Sequence, residues 1–231
     1  MTSLGIIGGA DGATAVIFMT GPDPKFWVML ALGGVLAYLL GSVDFGILVS
    51  KYLYHDDIRT HGSGNAGFTN FVRNYGVRKA LLVFVIDALK AVLGCLLGGL
   101  MFPGNVVAGR TLGGLGVILG HDFPALQGFR GGKGILSGCF IAFMVDWRIG
   151  AVTAGVFFAA YLLTHYVSLG SILSAIAFGV CYVILYHNNI PVMLCGVFMS
   201  LLTVFQHRSN ISRLLKGQER KTNLLSKGTK Q

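Results

Sequence analysis

The sequence predicts an all-α integral membrane protein. Three observations carry that expectation. Hydrophobic residues make up 54% of the 231-residue chain and charged residues only 12%, against roughly 25% charged in an ordinary soluble domain. Glycine occurs 34 times, which suits helices that pack backbone to backbone in lipid. Apolar runs recur at lengths close to the roughly 20 residues that a spanning helix needs, and the mean hydropathy is +0.70.

Taken in order, residues 1–24 are rich in glycine and poor in lysine and arginine. Without a basic n-region they do not read as a secretory signal, and they are expected to form an N-terminal appendage. Phe26–Ser50, Ala80–Phe102, Ile149–His165, Leu169–His187 and Pro191–Phe205 each qualify as spans. Val106–Leu119 and Ile135–Val145 are shorter, and fit short helices leaning on neighbours or re-entrant segments. The expectation is about seven transmembrane helices, with about five or six as the alternative. Residues 25–221 then form one membrane domain and 222–231 a basic tail.

Basic residues set the orientation. Lys51, Arg59, Arg73, Arg78 and Lys79 fall in the first long loop, Arg130 and Lys133 in the second, and Arg208, Arg213, Lys216, Arg220, Lys221, Lys227 and Lys230 in the tail. The opposite ends carry Lys25, Arg110 and Arg148. Positive charge favours the cytoplasmic side, so the N-terminus is expected outside and the C-terminus in the cytoplasm. The glycine-rich polar loops then face one side. The net charge of +9 reads as this topology signal and as attraction to anionic lipid, rather than as nucleic-acid binding. The four cysteines lie inside apolar runs with no CxxC spacing, so neither zinc nor a disulfide framework is expected. No metal or cofactor is expected.

Four polar constellations interrupt the apolar pattern. The first is Asp57–Arg73, DIRTHGSGNAGFTNFVR, too polar and too rich in glycine for a spanning helix. Gly62-Ser63-Gly64-Asn65 can present successive backbone N–H groups as an anion-binding nest, with Arg59 and Arg73 adding charge suited to phosphate. The same residues also fit a cytoplasmic loop with a glycine turn and topology-setting arginines. The second is Gly120–Gly134, GHDFPALQGFRGGKG. Gly131-Gly132-Lys133-Gly134 combines permissive backbone with one lysine charge, or is a hinge before a helix. It is not a Walker A loop, because Gln127 and Gly134 stand where that motif needs glycine and Ser or Thr. The third is Tyr166–Ser171, where Ser168 fits either a ligand contact or a helix N-cap. The fourth is Phe205–Lys221, in which His207 and Asn210 recur at helical spacing toward one face; an amphipathic basic tail on lipid is the competing reading. Asp87 and Lys90, at i and i+3 inside an apolar run, read as a structural ion pair. Glu219, the sole glutamate, sits among cations and is expected to be paired. No serine lies in a G-x-S-x-G elbow, so a serine nucleophile is not indicated.

These constellations resemble the bacterial glycerol-3-phosphate acyltransferases that use acyl phosphate, the PlsY family. Gly41-Ser42, DIR, GSGN, Thr69-Asn70 and Arg73 match its first motif, and Asp87 and Lys90 a D-x-x-K. GHDFP and FRGGKG match the second motif, YVSLGS the loop before the third, and HRSNISRLLKGQE the third. The likeness runs from Trp27 to Lys221. Departures are Ala66 and Phe68, where the family has proline and alanine, and Ile135-Leu136-Ser137 after the lysine loop; Phe68 is expected to narrow the site. Separately, Gly5–Phe18 is similar to a short segment of the beta subunit of sodium-pumping decarboxylases, a likeness confined to that stretch.

The family resemblance implies acyl transfer from acyl phosphate to the 1-hydroxyl of glycerol 3-phosphate at a bacterial inner membrane, with the site on the cytoplasmic side. It implies Ser63, Arg73, Lys133, His207 and Asn210 as catalytic. It implies Arg59, Gly62, Gly64, Asn65, Asn70, Gly131, Gly132, Ser168 and Ser171 as substrate-binding, and Asp87, Lys90 and Glu219 as structural. Membrane lipid is the surrounding partner, and the soluble enzyme that makes acyl phosphate is a further candidate. The proton of the attacking hydroxyl goes either to His207 or to the donor's phosphate. A small-anion transporter is the competing class; against it stand the one-sided polar groups and the lack of an internal repeat.

Overall fold

The computed structural model of the chain describes residues 4–7, 16–19 and 24–222. Most of the expected N-terminal appendage and nearly all of the 222–231 tail, including Lys227 and Lys230, lie outside these residues. Within the appendage, β1 (Leu4–Ile7) and β2 (Val16–Met19) pair antiparallel, Leu4 opposite Met19. Among the described residues everything else regular is helical.

The first apolar run is broken rather than continuous. α1 (Pro24–Ser42) and α2 (Phe45–Tyr54) are separated at Val43–Asp44. Asp44, buried in an apolar stretch, is the N-cap of α2: its carboxylate accepts the Ile47 N–H at 3.2 Å. That accounts for a charge with no evident place in the sequence, because a new helix start needs acceptors for its free N–H groups. The first polar loop holds a short 3-10 turn (Ile58–Thr60) and α3 (Phe68–Tyr75).

α4 (Val77–Met101) and α5 (Val106–Asp122) form an antiparallel pair. A Cβ added at Gly98 would lie 2.0 Å from the Gly109 carbonyl oxygen, and one at Gly113 2.0 Å from that of Gly94. The two backbones touch, which only glycine permits. On its other side α5 packs against α1, where a Cβ at Gly120 would meet the Tyr38 oxygen at 2.1 Å. α6 (Ile135–Val145), α7 (Trp147–Thr164), α8 (Val167–Tyr186) and α9 (Ile190–Gln206) follow, and α10 (Arg208–Leu215) bends 54° away from α9 at His207.

Each apolar run expected from the sequence is helical, the first as two helices and the two short ones as one each. Among the described residues, four segments are long and apolar enough to cross a membrane: Trp27–Tyr54, Val77–Met101, Trp147–Thr164 and Val167–Tyr186; α9 with α10 makes a fifth if the bent pair counts as one. α6, at 11 residues, rises only about 16 Å, half the hydrocarbon thickness. A core of Ala91, Cys95, Ile118, Ile141, Ile149, Tyr182 and Met199 joins α4 through α9. A second, smaller core of Ile47, Ile58, Ala66, Phe71 and Val83 seats the first polar loop on α2 and α4. Large apolar side chains such as Leu89, Leu162, Ile184 and Leu201 point outward, as on a protein whose surroundings are hydrocarbon. The chain is a multi-pass membrane protein.

Candidate active site

The four polar constellations meet at one end of the bundle. In the first loop, Asp57 caps the 3-10 turn and clamps Arg59 in two parallel bonds, Nε to Oδ1 at 3.0 Å and a terminal nitrogen to Oδ2 at 2.8 Å. This pairing holds the Asp57 carboxyl down at about 2, chiefly through the Arg59 hydrogen bond. The other Arg59 nitrogen donates to the Gln127 carbonyl at 2.9 Å. Arg59 therefore ties the first loop to the second instead of standing free for a ligand.

Asn70 plays a similar part. It is buried, its amide nitrogen lies against the carbonyls of Ile58, His61 and Asn65 at 3.2, 3.0 and 2.8 Å, and its oxygen accepts the Ser63 N–H at 3.0 Å. The Gly64 N–H goes to the His61 carbonyl at 2.9 Å. Two of the four amides expected to form a nest are thus turned inward, and the anion-nest reading of Gly62–Asn65 does not hold for them. Gly62 and Gly64 take φ of 60° and 71°, left-handed values that glycine adopts without strain. The Ser63 side chain is left exposed at the turn. Asn65 reaches the Gly131 carbonyl at 3.4 Å.

The second loop folds back on α5. Gly131 and Gly132 donate their amides to the carbonyls of Asp122 and His121, at 3.3 and 3.0 Å. Their glycines answer a packing demand: a Cβ would fall 2.0 Å from the His121 oxygen at Gly131, and 2.0 Å from His121 Nε2 at Gly132. These amides do not face a ligand, so the backbone half of the phosphate-loop expectation fails, and the lysine half remains. Lys133 reaches across to the Asn210 side-chain oxygen.

At the bend between α9 and α10, His207 is buried and its Nδ1 lies 2.8 Å from the Thr203 carbonyl. A carbonyl only accepts, so Nδ1 carries the proton and Nε2 keeps its lone pair in the neutral ring. Asn210 donates to Glu219 Oε1 at 3.0 Å, and Arg213 to Oε2 at 2.7 Å. Lys133, Asn210, Glu219 and Arg213 form one chain of contacts. Burial would raise the Glu219 carboxyl, but hydrogen bonds from Arg213 and Asn210 outweigh it and keep the group below the usual carboxylate range. Lys133 is pushed down to about 8, first by burial and then by Arg213, with Arg73 and Arg208 adding to it against Glu219. Arg73 donates from Nε to the Thr222 hydroxyl at 2.9 Å and from a terminal nitrogen to the Arg220 carbonyl at 3.3 Å, tying α3 to the tail.

Ser168 is not an N-cap: α8 is capped at Tyr166 without a side-chain bond. Its hydroxyl is buried within electrostatic reach of Glu219 and makes no close hydrogen bond among the described residues. Ser171 bonds back to the Val167 carbonyl at 2.9 Å, a helix-internal contact. Asp87 and Lys90 pair at 2.8 Å in the interior, as expected. Arg213 and Thr222 were not singled out as parts of the cluster, nor His121 as its floor; Arg213, inside HRSNISRLLKGQE with Glu219, and His121, inside GHDFP next to the glycine loop, left a signal, and Thr222 left none. Among the described residues no group of His, Cys, Asp or Glu could hold a metal ion.

Below the cluster a cleft enters the bundle, lined by Gly134, Ile135, Gly138 and Cys139 on one side and by Phe178, Met199 and Thr203 on the other. Two of its lining residues adjoin the cluster: Gly134 follows Lys133, and Thr203 holds His207.

The model of the family described as "Glycerol-3-phosphate acyltransferase" matches residues 31–217. A protein of that name from a Thermoanaerobacter species is 38% identical over 190 residues, covering 82% of this chain and 94% of the relative. One from Finegoldia magna is 36% identical over 198 residues, covering 84% and 97%. Among solved structures, the glycerol 3-phosphate form of PlsY, an integral membrane glycerol 3-phosphate acyltransferase, superposes with a TM-score of 0.74 at 32% identity, covering 85% of this chain and 96% of that one. Its lysophosphatidic acid form gives 0.72.

Proposed function

Since the chain belongs to the glycerol-3-phosphate acyltransferase family, we propose that it transfers a fatty acyl group from acyl phosphate to the 1-hydroxyl of sn-glycerol 3-phosphate, releasing lysophosphatidate and inorganic phosphate. The observation that carries this reading is that Arg213, Arg73 and Arg208 all bear on the half-buried Lys133, which is joined through Asn210 to Glu219. Three like charges bear on Lys133, and phosphate relieves that repulsion. The acyl chain stays in the bilayer and enters sideways between helices.

In this mechanism the substrate hydroxyl attacks the acyl carbonyl carbon and phosphate departs with the electrons of the acyl–oxygen bond. The donor is already activated, so no covalent enzyme intermediate is required. Lys133, held by Asn210, faces the charge that builds on the leaving phosphate. The Nε2 lone pair of His207 accepts a hydrogen bond from the attacking hydroxyl and orients it. The proton passes to the departing phosphate rather than to His207, because a buried imidazolium beside Lys133 is disfavoured by both burial and like charge. Ser63 and Ser168 complete the contacts to the substrates, and Glu219 holds Asn210 and Arg213 in place. We place seven passes in a bacterial inner membrane, N-terminus outside, with this site and the C-terminus in the cytoplasm, where the basic loops lie.

Detergent-purified protein supplied with palmitoyl phosphate and radiolabelled glycerol 3-phosphate tests the reading. Labelled lysophosphatidate with one phosphate released per product is the expected result. Uptake of glycerol 3-phosphate into liposomes without product would overturn it in favour of transport.

A further inference from the structure

Beneath the two glycine-rich loops lies a buried polar group that the mechanism above does not use. Lys90 is 3% exposed and its ammonium has four neighbours of three kinds. It pairs with Asp87 Oδ1 at 2.8 Å, and lies against His121 Nδ1 at 2.8 Å and the Gly41 and Val43 carbonyls at 3.3 and 3.4 Å. An ammonium can only donate, so His121 Nδ1 accepts and the ring is neutral, with its proton on Nε2. Gly41 lies in the last turn of α1 and Val43 in the break after it, immediately before the Asp44 cap from which α2 runs to the first loop. His121 is the next-to-last residue of α5. Its carbonyl takes the Gly132 N–H, and its ring lies where a Gly132 side chain would be. One buried ammonium therefore touches the root of the first loop and the floor of the second.

A plain interior ion pair would need Asp87 alone. Burying a lysine at a junction of three helices is costly unless its protons are all taken, and here two acceptors come from a helix break and one from the residue that seats Gly132. We propose that Lys90 and His121 are positioning residues, whose contact fixes the height of the Lys133 loop relative to the first loop and so sets the binding of the phosphate-bearing substrate. The proposal rests on the acyltransferase reading for its kinetic consequence, and on the geometry of the loop for its structural one. Glycerol 3-phosphate is the substrate that should feel the change, because it has no acyl chain to hold it when the polar contacts shift.

The test compares His121→Leu with His121→Asn, whose side-chain oxygen can replace the Nδ1 acceptor. Because Lys90→Met alone leaves Asp87 buried and unpaired and threatens folding, the pair is removed together as Asp87→Leu/Lys90→Met. Each folded variant is measured for kcat, for KM toward both substrates, and for hydrogen exchange in residues 128–134. His121→Leu and the double variant are expected to raise the KM for glycerol 3-phosphate by on the order of tenfold to a hundredfold, with a smaller change in kcat and faster exchange in 128–134. His121→Asn should stay within about threefold of wild type on both measures, as a replaced hydrogen bond predicts. Unchanged exchange and KM in folded His121→Leu would overturn the proposal, as would equal damage from leucine and asparagine. A wild-type protein without acyl transfer would instead sink the proposed function, and the exchange comparison would still decide whether His121 holds the loop.

Discussion

The two glycine-rich loops look alike in sequence and are built on opposite principles. In the first, Gly62 and Gly64 supply left-handed backbone, and the turn is held from within by Asn70, whose side chain gathers three carbonyls and one amide of its own loop. In the second, Gly131 and Gly132 supply absence of bulk, and the loop is held from below by the end of α5. A self-held loop fails as a unit when its hub is removed. An externally held loop keeps its shape when its own functional side chain is changed. The difference separates residues whose loss should cost activity alone from those whose loss should cost activity and stability together.

The largest expected effect is on activity alone. Lys133→Met should lower kcat/KM by about a hundredfold or more, the range for losing a preorganised charge at developing negative charge, while the melting temperature stays near wild type. Steady-state kinetics beside a thermal unfolding curve checks both halves; a variant with wild-type kinetics would place Lys133 outside the reaction. Next comes the hub. Asn70→Ala should destabilise the protein by about 2–4 kcal/mol, since several buried partners lose their bond at once, and activity should fall in parallel. An inactive Asn70→Ala protein with unchanged stability would make Asn70 a substrate contact and erase the contrast between the loops.

The smallest effect is a shift of a pH limb. Lys133 loses its proton near pH 8 in the free protein, below the ordinary lysine value. The cation is the working form, so kcat/KM should fall as pH rises through about 8. Bound phosphate stabilises the cation, so the limb in kcat should lie higher than the limb in kcat/KM. Lys133→Arg should move the alkaline limb of kcat/KM upward, because guanidinium stays charged. A limb that does not move in the arginine variant belongs to another group.

Much of the architecture was legible because lipid-facing helices need long apolar runs, and every such run but the first is a single helix. The break at Val43–Asp44 was not: an isolated acid in an apolar run is a cap only if the helix restarts there, and the carbonyls of Gly41 and Val43 at that break are met by Lys90, a residue 49 and 47 positions away. At the site, residue types grouped Lys133, Arg73 and Asn210 in one reading, and the fold brings Asn210 against Lys133 and Arg73 within its electrostatic reach. Where an amide points is a different matter. GSGN and GGKG both read as phosphate cradles, yet the amides of Ser63, Gly64, Gly131 and Gly132 all turn inward, because each finds a carbonyl or side-chain oxygen contributed by residues outside the motif. The contact between Lys133 and Asn210 spans 77 positions, and nothing local to either residue encodes it.

The glycine seam between α4 and α5 has a consequence for how the chain is made. α5 carries Gly109, Gly113, Gly114, Gly116 and Gly120 along with Arg110, so it gains little from entering lipid by itself. Two of the surfaces it packs on, α1 on one side and the Gly94 and Gly98 positions of α4 on the other, are synthesised before it. α5 therefore emerges from the ribosome with its docking partners already available, and α4 and α5 are suited to enter the bilayer as a hairpin. Gly98→Leu would strand α5 during biogenesis, before any question of catalysis arises.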